Sequence, residues 1–215
     1  MRFLILLWIS ISTCFGQDYF EGQIIYKVTV VKKSKDLDPK LLSDYDNKIW
    51  TYDFKNGNFK WSFPSTFWIG HIYNQKTNRL YNIAKDSNLA TWRNGKNETD
   101  SLINIKKSKT KIKILNNSCN LLTIKTKYLS ENLIRTRNYY YSAKTAINPE
   151  WTNNYKGNNF DMIYKLTKSI PLKIIDDFGT FKITYEAIEI KRKKTENSIF
   201  KIDPKLRLEE LVIKK

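Results

Sequence analysis

Protein chemistry is carried mostly by histidines, cysteines and paired carboxylates, and this chain has few such groups in working arrangements. His71 is the only histidine among 215 residues, set between Gly70 and Ile72 with Ile69 and Tyr73 on its own strand face. A thiol needs a base to become a nucleophile, so a Cys119–His71 dyad is conceivable. No local signature accompanies either residue, and a structural or surface histidine is the better reading. Asp176-Asp177 and Glu209-Glu210 are adjacent pairs. Neighbours on a strand point to opposite faces, so neither pair makes a shared acid–base site. G-x-S-x-G, P-loop and dinucleotide fingerprints are all missing. Two cysteines and one histidine are too few for a disulfide framework or a His/Cys zinc site. The chain therefore reads as a non-enzyme, with neither metal nor cofactor expected.

The aromatic residues carry the strongest pattern. Trp50, Tyr52 and Phe54 alternate with Thr51, Asp53 and Lys55; Phe59, Trp61 and Phe63 alternate with Asn58, Lys60 and Ser62. Between the two runs lies Asn56-Gly57, the preferred pair for a type I′ hairpin turn, where both residues need positive φ. A two-residue turn there pairs Lys55 with Asn58. It then sets Phe54 against Phe59, Tyr52 against Trp61 and Trp50 against Phe63, with all six rings on one face. A slip of one residue would turn the whole set toward water, so the register is well determined. These six residues are the candidate ligand-binding set for an apolar molecule, and ordinary core packing is the competing use of the same face.

Charge gives a second candidate surface. Lys and Arg number 38 against 21 Asp and Glu, a net charge of +17. The densest runs are Lys106 to Lys113 and Lys191 to Lys194. Basic runs beside aromatics can bind nucleic acid, but these lysines spread along the chain and largely occupy the polar phase of strands. The ordinary reading is a solvated face. If the charge has a partner, an anionic envelope surface suits an exported protein better than nucleic acid does.

The elements that must position these groups are strands. Apolar residues recur with period two over most of the chain, the mark of an antiparallel sheet with one buried face. Strands are expected over residues 20–31, 49–55 and 58–64, with a hairpin over 67–83 turning at 74–78. Others are expected over 111–115, 121–128, 133–142, 170–175, 180–190 and 198–202, and Arg93 to Asp100 reads as a loop. Asp38-Pro39 and Asp203-Pro204 each offer an N-cap followed by proline at the first helical position. Short helices are expected behind them, one using Leu41, Leu42 and Tyr45, the other Leu208, Leu211 and Val212. At the N-terminus, Arg2, the apolar run Phe3 to Ile11 and small residues ending at Gly16 have the three-part build of a secretory leader. The run is shorter than the ~20 residues a transmembrane helix needs. Cleavage after Gly16 would start the mature chain at Gln17; a lipobox-like reading of Ile11 to Cys14 would instead leave Cys14 lipidated. The expected organisation is a signal peptide over 1–16 and a single β-rich domain over 17–215, periplasmic or secreted.

Short segments through the mature chain carry a family resemblance. They are Phe20-Glu21-Gly22-Gln23-Ile24-Ile25-Tyr26, the hairpin Ile72 to Tyr81, Lys113 to Cys119, Tyr139-Tyr140-Tyr141-Ser142, and Ile147-Asn148-Pro149-Glu150-Trp151 with Ile170-Pro171-Leu172-Lys173. In these the chain resembles an exported Bacteroidota family of unknown function whose fold is similar to the LolA/LolB lipoprotein carriers. It differs from the sister GLPGLI family, whose diagnostic motif is replaced here by Lys168-Ser169-Ile170-Pro171-Leu172-Lys173. The resemblance implies a mainly β fold, a strongly curved antiparallel half-barrel with a few short helices, and no catalytic residues. The expected partner is then a lipid or other apolar ligand held in the curved sheet. An envelope-binding protein without cargo is the alternative.

Overall fold

Where apolar and polar residues alternate, the backbone runs extended, and the computed structural model turns nearly all of those stretches into one sheet. It describes residues 18–35, 37, 42–129 and 133–211. The leader expected over 1–16, Cys14, Gln17 and the Asp38-Pro39 cap lie outside the described residues. Among those described, twelve strands pair into a single sheet. They are β1 (Gly22–Lys32), β2 (Lys48–Lys55), β3 (Asn58–Ser62), β4 (Trp68–Asn74), β5 (Arg79–Ala84), β6 (Leu89–Asn94), β7 (Asp100–Ile114), β8 (Asn117–Tyr128), β9 (Ile134–Ala146), β10 (Ser169–Asp177), β11 (Phe181–Arg192) and β12 (Arg207–Glu210). Their order across the sheet is β12-β6-β5-β4-β3-β2-β1-β11-β10-β9-β8-β7. Every neighbouring pair is antiparallel except β12 on β6.

That order forces the sheet to curve. The chain starts at the centre, walks outward by hairpins to β6, and then reappears at the opposite edge as β7. In a flat sheet the ten steps between β6 and β7, at ~4.8 Å each, would separate them by about 48 Å. The link from Asn94 to Asp100 is six Cα-to-Cα steps long and can reach only about 22 Å. The two ends must therefore curl toward each other over a concave face. Register shifts in β1/β11, β4/β5, β7/β8 and β9/β10 add local twist where the bend is needed. Pro171 sits at one of them, where a missing N–H does least damage to the ladder, and its carbonyl accepts the Tyr26 hydroxyl at 2.7 Å.

The aromatic hairpin has the expected register: Lys55 pairs with Asn58, Phe54 with Phe59 and Tyr52 with Trp61. Trp50 and Phe63 stack just beyond the ladder, their ring centroids 4.3 Å apart. Asn56 and Gly57 both have positive φ, 47° and 81°. Glycine is required at the second position because a Cβ there would also fall 2.8 Å from Trp151.

Four expectations are corrected. Residues 198–202 are not a strand; Asn197–Phe200 is a single 3-10 turn that buries Phe200. Arg93 and Asn94 belong to β6, which leaves only residues 95–99 as loop. β7 begins at Asp100, well before residue 111. The segment after Asp203-Pro204 is not a helix but β12, with Leu208 and Leu211 exposed; Val212 lies outside the described residues. A helix there would be short, and a helix of so few residues is marginal without packing partners. As a strand it satisfies the free edge of β6, through Arg207 N–H to the Asn88 carbonyl and Leu211 N–H to the Trp92 carbonyl, both 2.7 Å. After the Asp38-Pro39 position, residues 42–47 form a 3-10-like turn, with Tyr45 and Asp46 both donating to the Leu42 carbonyl.

One helix had no counterpart in the sequence reading: α1 (Phe160–Thr167). Together with the 3-10 turns Pro149–Thr152 and Gly157–Asn159, it crosses the concave face. It covers that face with Trp151, Tyr155, Phe160, Ile163 and Tyr164.

Candidate ligand cavity on the concave face

All six candidate ring residues share the concave face, but that face is covered unevenly. Tyr52, Phe54 and Phe59 are almost completely buried. Their cover is protein: Trp151 lies against Phe54, Tyr155 and Phe160 against Phe59, and the Tyr164 hydroxyl sits 3.2 Å from that of Tyr52. The void left among Tyr26, Tyr52, Trp61, Phe160 and Tyr164 is only about 10 Å³, room for roughly one water. At this end the hairpin is core. At the other end Trp50 and Phe63 are buried near their margin and Trp61 is half-buried.

Trp61 is the hinge between the two regimes. Its ring packs on Tyr52 at 4.6 Å and Tyr26 at 5.3 Å, and meets Trp50 edge-on at 6.0 Å. Its open side borders two cavities. One, of about 290 Å³, is walled by Phe59, Trp61, His71, Leu80, Asn82, Arg93 and Tyr155 among others. The second, of about 160 Å³, lies between Trp50, Trp61 and His71 on one side and Arg135, Arg137, Tyr139, Asp176 and Tyr185 on the other. Trp61, His71, Asn158 and Phe160 belong to both walls, so the two chambers adjoin. Strands β4 and β9 are six places apart in the sheet, and the curvature is what brings His71 opposite Arg135.

Behind the second chamber lies a buried charge cluster. Arg135 Nη2 and Arg137 Nη2 both donate to Asp100 Oδ2, at 2.8 and 2.7 Å. Thr126 donates to the same oxygen at 3.1 Å, and Thr99 to Oδ1 at 2.6 Å. Burial pushes the Asp100 carboxyl up, but Arg137, Thr99 and Arg135 outweigh it and hold it below the usual carboxylate range. Asp176 has only a 3.4 Å contact from Arg135 Nη1. Burial dominates there, so its carboxyl is held above the usual range despite both arginines. Of these four charged residues the sequence points only to Asp176, and only as half of the adjacent pair Asp176-Asp177; it does not bring the cluster together. The available signal was that Arg135 and Arg137 fall in the same strand phase as Tyr139, which is the apolar phase.

His71 is packed against Phe63, centroid to centroid 4.9 Å. Its ionisation is pushed down to about 4 by burial first and by Arg93 second, against a hydrogen bond with Asn82. A neutral His71 therefore stabilises the fold. The stabilisation is complete above the ordinary histidine value of 6.5 and is lost as pH falls from there toward about 4. Over that window the loss is about 3 kcal/mol. His71→Gln should abolish this pH dependence: by urea unfolding, wild type should lose about that amount relative to the variant between pH 7 and pH 4. Parallel pH profiles would show that His71 is not held neutral.

The Cys119 thiol is buried and its ionisation raised by that burial, the opposite of what activates a nucleophile. Among the described residues no three His, Cys, Asp or Glu side chains converge as metal ligands, and no helix is long and apolar enough to cross a membrane. Lys106, Lys107, Lys109, Lys111 and Lys113 are all exposed along the edge strand β7. Charges in that position also discourage edge-to-edge pairing with another sheet. No model of a known protein family matches the chain, and no curated protein does.

Proposed function

We propose that the protein is an exported, non-enzymatic carrier that holds an apolar ligand, a lipid or acyl chain, in the concavity of its sheet. The observation that carries this reading is the half-open face of Trp61. Protein cover stops at Tyr52 and Phe59, and beyond them a large aromatic side chain borders chambers of about 290 and 160 Å³. Space of that size, on a wall that mixes aromatic with polar side chains, approaches the range of small-molecule sites. The leader-like N-terminus and the resemblance to the LolA/LolB-like family point the same way, toward the periplasm or the exterior.

The test is fluorescence titration with the methyl ester of cis-parinaric acid, a neutral apolar probe, alongside mass spectrometry of lipid extracted from natively purified protein. Wild type should bind the ester, and Trp61→Ala should weaken binding about tenfold or more, as loss of a central aromatic anchor does. If neither probe nor natural lipid is held, the carrier reading is wrong. Salt-sensitive binding to anionic vesicles in that case would favour the alternative, an envelope-binding role for the lysines of β7.

A further inference from the structure

The β7–β8 hairpin ends in a turn whose first residue does not suit it. Ile114 pairs with Asn117, so Leu115 and Asn116 form a two-residue turn, and both have positive φ, 48° and 61°. Asparagine takes that conformation readily, as Asn56 does in the aromatic hairpin. Leucine does not, because its Cβ crowds the following carbonyl oxygen. Asn117 holds the strained apex in place, its Nδ2 donating to the carbonyls of Ile114 at 3.2 Å and Leu115 at 2.7 Å. The turn thus presents a large apolar side chain to solvent, 42% exposed. A second one stands beside it. Lys109 pairs with Asn120 and Lys113 with Ser118, which leaves Thr110, Lys111 and Ile112 opposite Cys119 alone. Thr110 Oγ1 donates to the Cys119 carbonyl at 2.9 Å and accepts the Ile112 N–H at 3.0 Å, and this bulge leaves Lys111 and Ile112 exposed. Underneath, Ile114 and Cys119 are buried in the main core and anchor the tip.

Around that apolar tip the charge is of one sign. Between Ser101 and Leu129 there are seven lysines and no Asp or Glu, and all seven are exposed. Among the described residues none of them is in an ion pair. The other dense basic run differs: Lys191 pairs with Glu189 and Arg192 with Asp18. Lysines on an edge strand discourage sheet pairing, but a strained and exposed leucine serves no such purpose. We infer that the β7–β8 hairpin docks the protein on an anionic lipid bilayer, with Leu115 and Ile112 entering the headgroup–acyl boundary and the lysines facing lipid phosphates. Charge complementarity selects an anionic partner, and the aliphatic tip favours a bilayer over nucleic acid. From Ser101 to Lys127 there is no aromatic ring on which a base could stack. The inference goes beyond the carrier reading and does not depend on it, since the tip shares no residue with the walls of either chamber.

The test is co-sedimentation of the protein, purified from its own cells, with vesicles of equal parts phosphatidylglycerol and phosphatidylcholine. Wild type should bind these about tenfold or more tightly than pure phosphatidylcholine, and the difference should collapse at high salt. Lys111→Gln combined with Lys113→Gln should weaken the anionic binding about tenfold or more, since each lysine near such a surface contributes about fivefold. Leu115→Asn should weaken it severalfold while leaving urea unfolding at wild-type stability or above, because asparagine suits the turn. A leucine kept only for folding would give the reverse, lower stability with vesicle binding unchanged, and that result would overturn the inference. Equal binding of wild type to anionic and neutral vesicles would overturn it as well. Tighter binding of wild type to polyuridylate than to anionic vesicles would replace the bilayer with nucleic acid. Failure here leaves the carrier reading standing on Trp61 and the parinarate ester, and failure of ester binding leaves the docking hairpin standing.

Discussion

Asp100→Asn should lower the unfolding free energy by about 3–5 kcal/mol, the cost of leaving a buried charge uncompensated. The side chain of Asp100 is fully buried, and those of Arg135 and Arg137 are only 7% and 5% exposed. The pair of guanidinium groups on one carboxylate oxygen is balanced only while that oxygen is charged. Asparagine keeps the shape and one acceptor but removes the charge, and two arginines are then left facing one another across it. Thr99 and Thr126, which donate to the same carboxylate, each lose a charge-assisted bond as well. The measurement is urea unfolding followed by circular dichroism at pH 7. Because the Asp100 carboxyl is held below the usual range, its contribution is complete above the ordinary value of 3.8. It is lost only as pH falls below that value toward the depressed one. The deficit of the variant should therefore be constant at neutral pH and shrink in acid. Adding Arg137→Gln to Asp100→Asn should recover part of the loss, since one uncompensated charge disappears. A loss under 1 kcal/mol would mean that water, not Asp100, balances the arginines.

The hairpin shows what could be read from sequence and why. Its register follows from local rules, an Asn56-Gly57 turn and a strict alternation of rings, and both act within one pair of strands. The period-two pattern likewise identifies most of the sheet, because alternation is a property of each strand taken alone. What failed was non-local. β12 is a strand because the edge of β6 offers it hydrogen bonds, and nothing in Arg207 to Glu210 announces that edge. Phe160, Ile163, Tyr164 and Thr167 have helical spacing, but the α1 segment is short and its spacing is easily lost among strands. The candidate site was half legible for the same reason. Its aromatic wall is a single hairpin, whereas its polar wall comes from β7, β9 and β10, distant in sequence and brought opposite the hairpin by curvature. Charges in the apolar phase of β9 were the visible trace of it.

The hairpin should also divide energetically where its cover divides. Tyr52→Ala should cost about 3–5 kcal/mol, in the range of large aromatic truncations in a packed core. Tyr52 is 1% exposed, with its ring 4.6 Å from Trp61 and 5.6 Å from Phe59, so the surroundings have little freedom to collapse into the hole. The change also strands the Tyr164 hydroxyl, whose contact at 3.2 Å is with Tyr52. Tyr52→Phe keeps the ring and should cost only about 1 kcal/mol, the worth of one hydrogen bond. Trp61→Ala removes a larger side chain but should cost less than Tyr52→Ala, because one side of Trp61 already borders open space and has few contacts there to lose. Its main penalty should fall on ligand binding instead. Chemical unfolding of the three variants in the same buffer decides the matter. If Trp61→Ala is as damaging as Tyr52→Ala, then the whole hairpin face is core and the chambers beside it are packing defects. If the order is as expected, the boundary between core and binding surface runs through the Tyr52–Trp61 pair, two rings set opposite each other by a single turn.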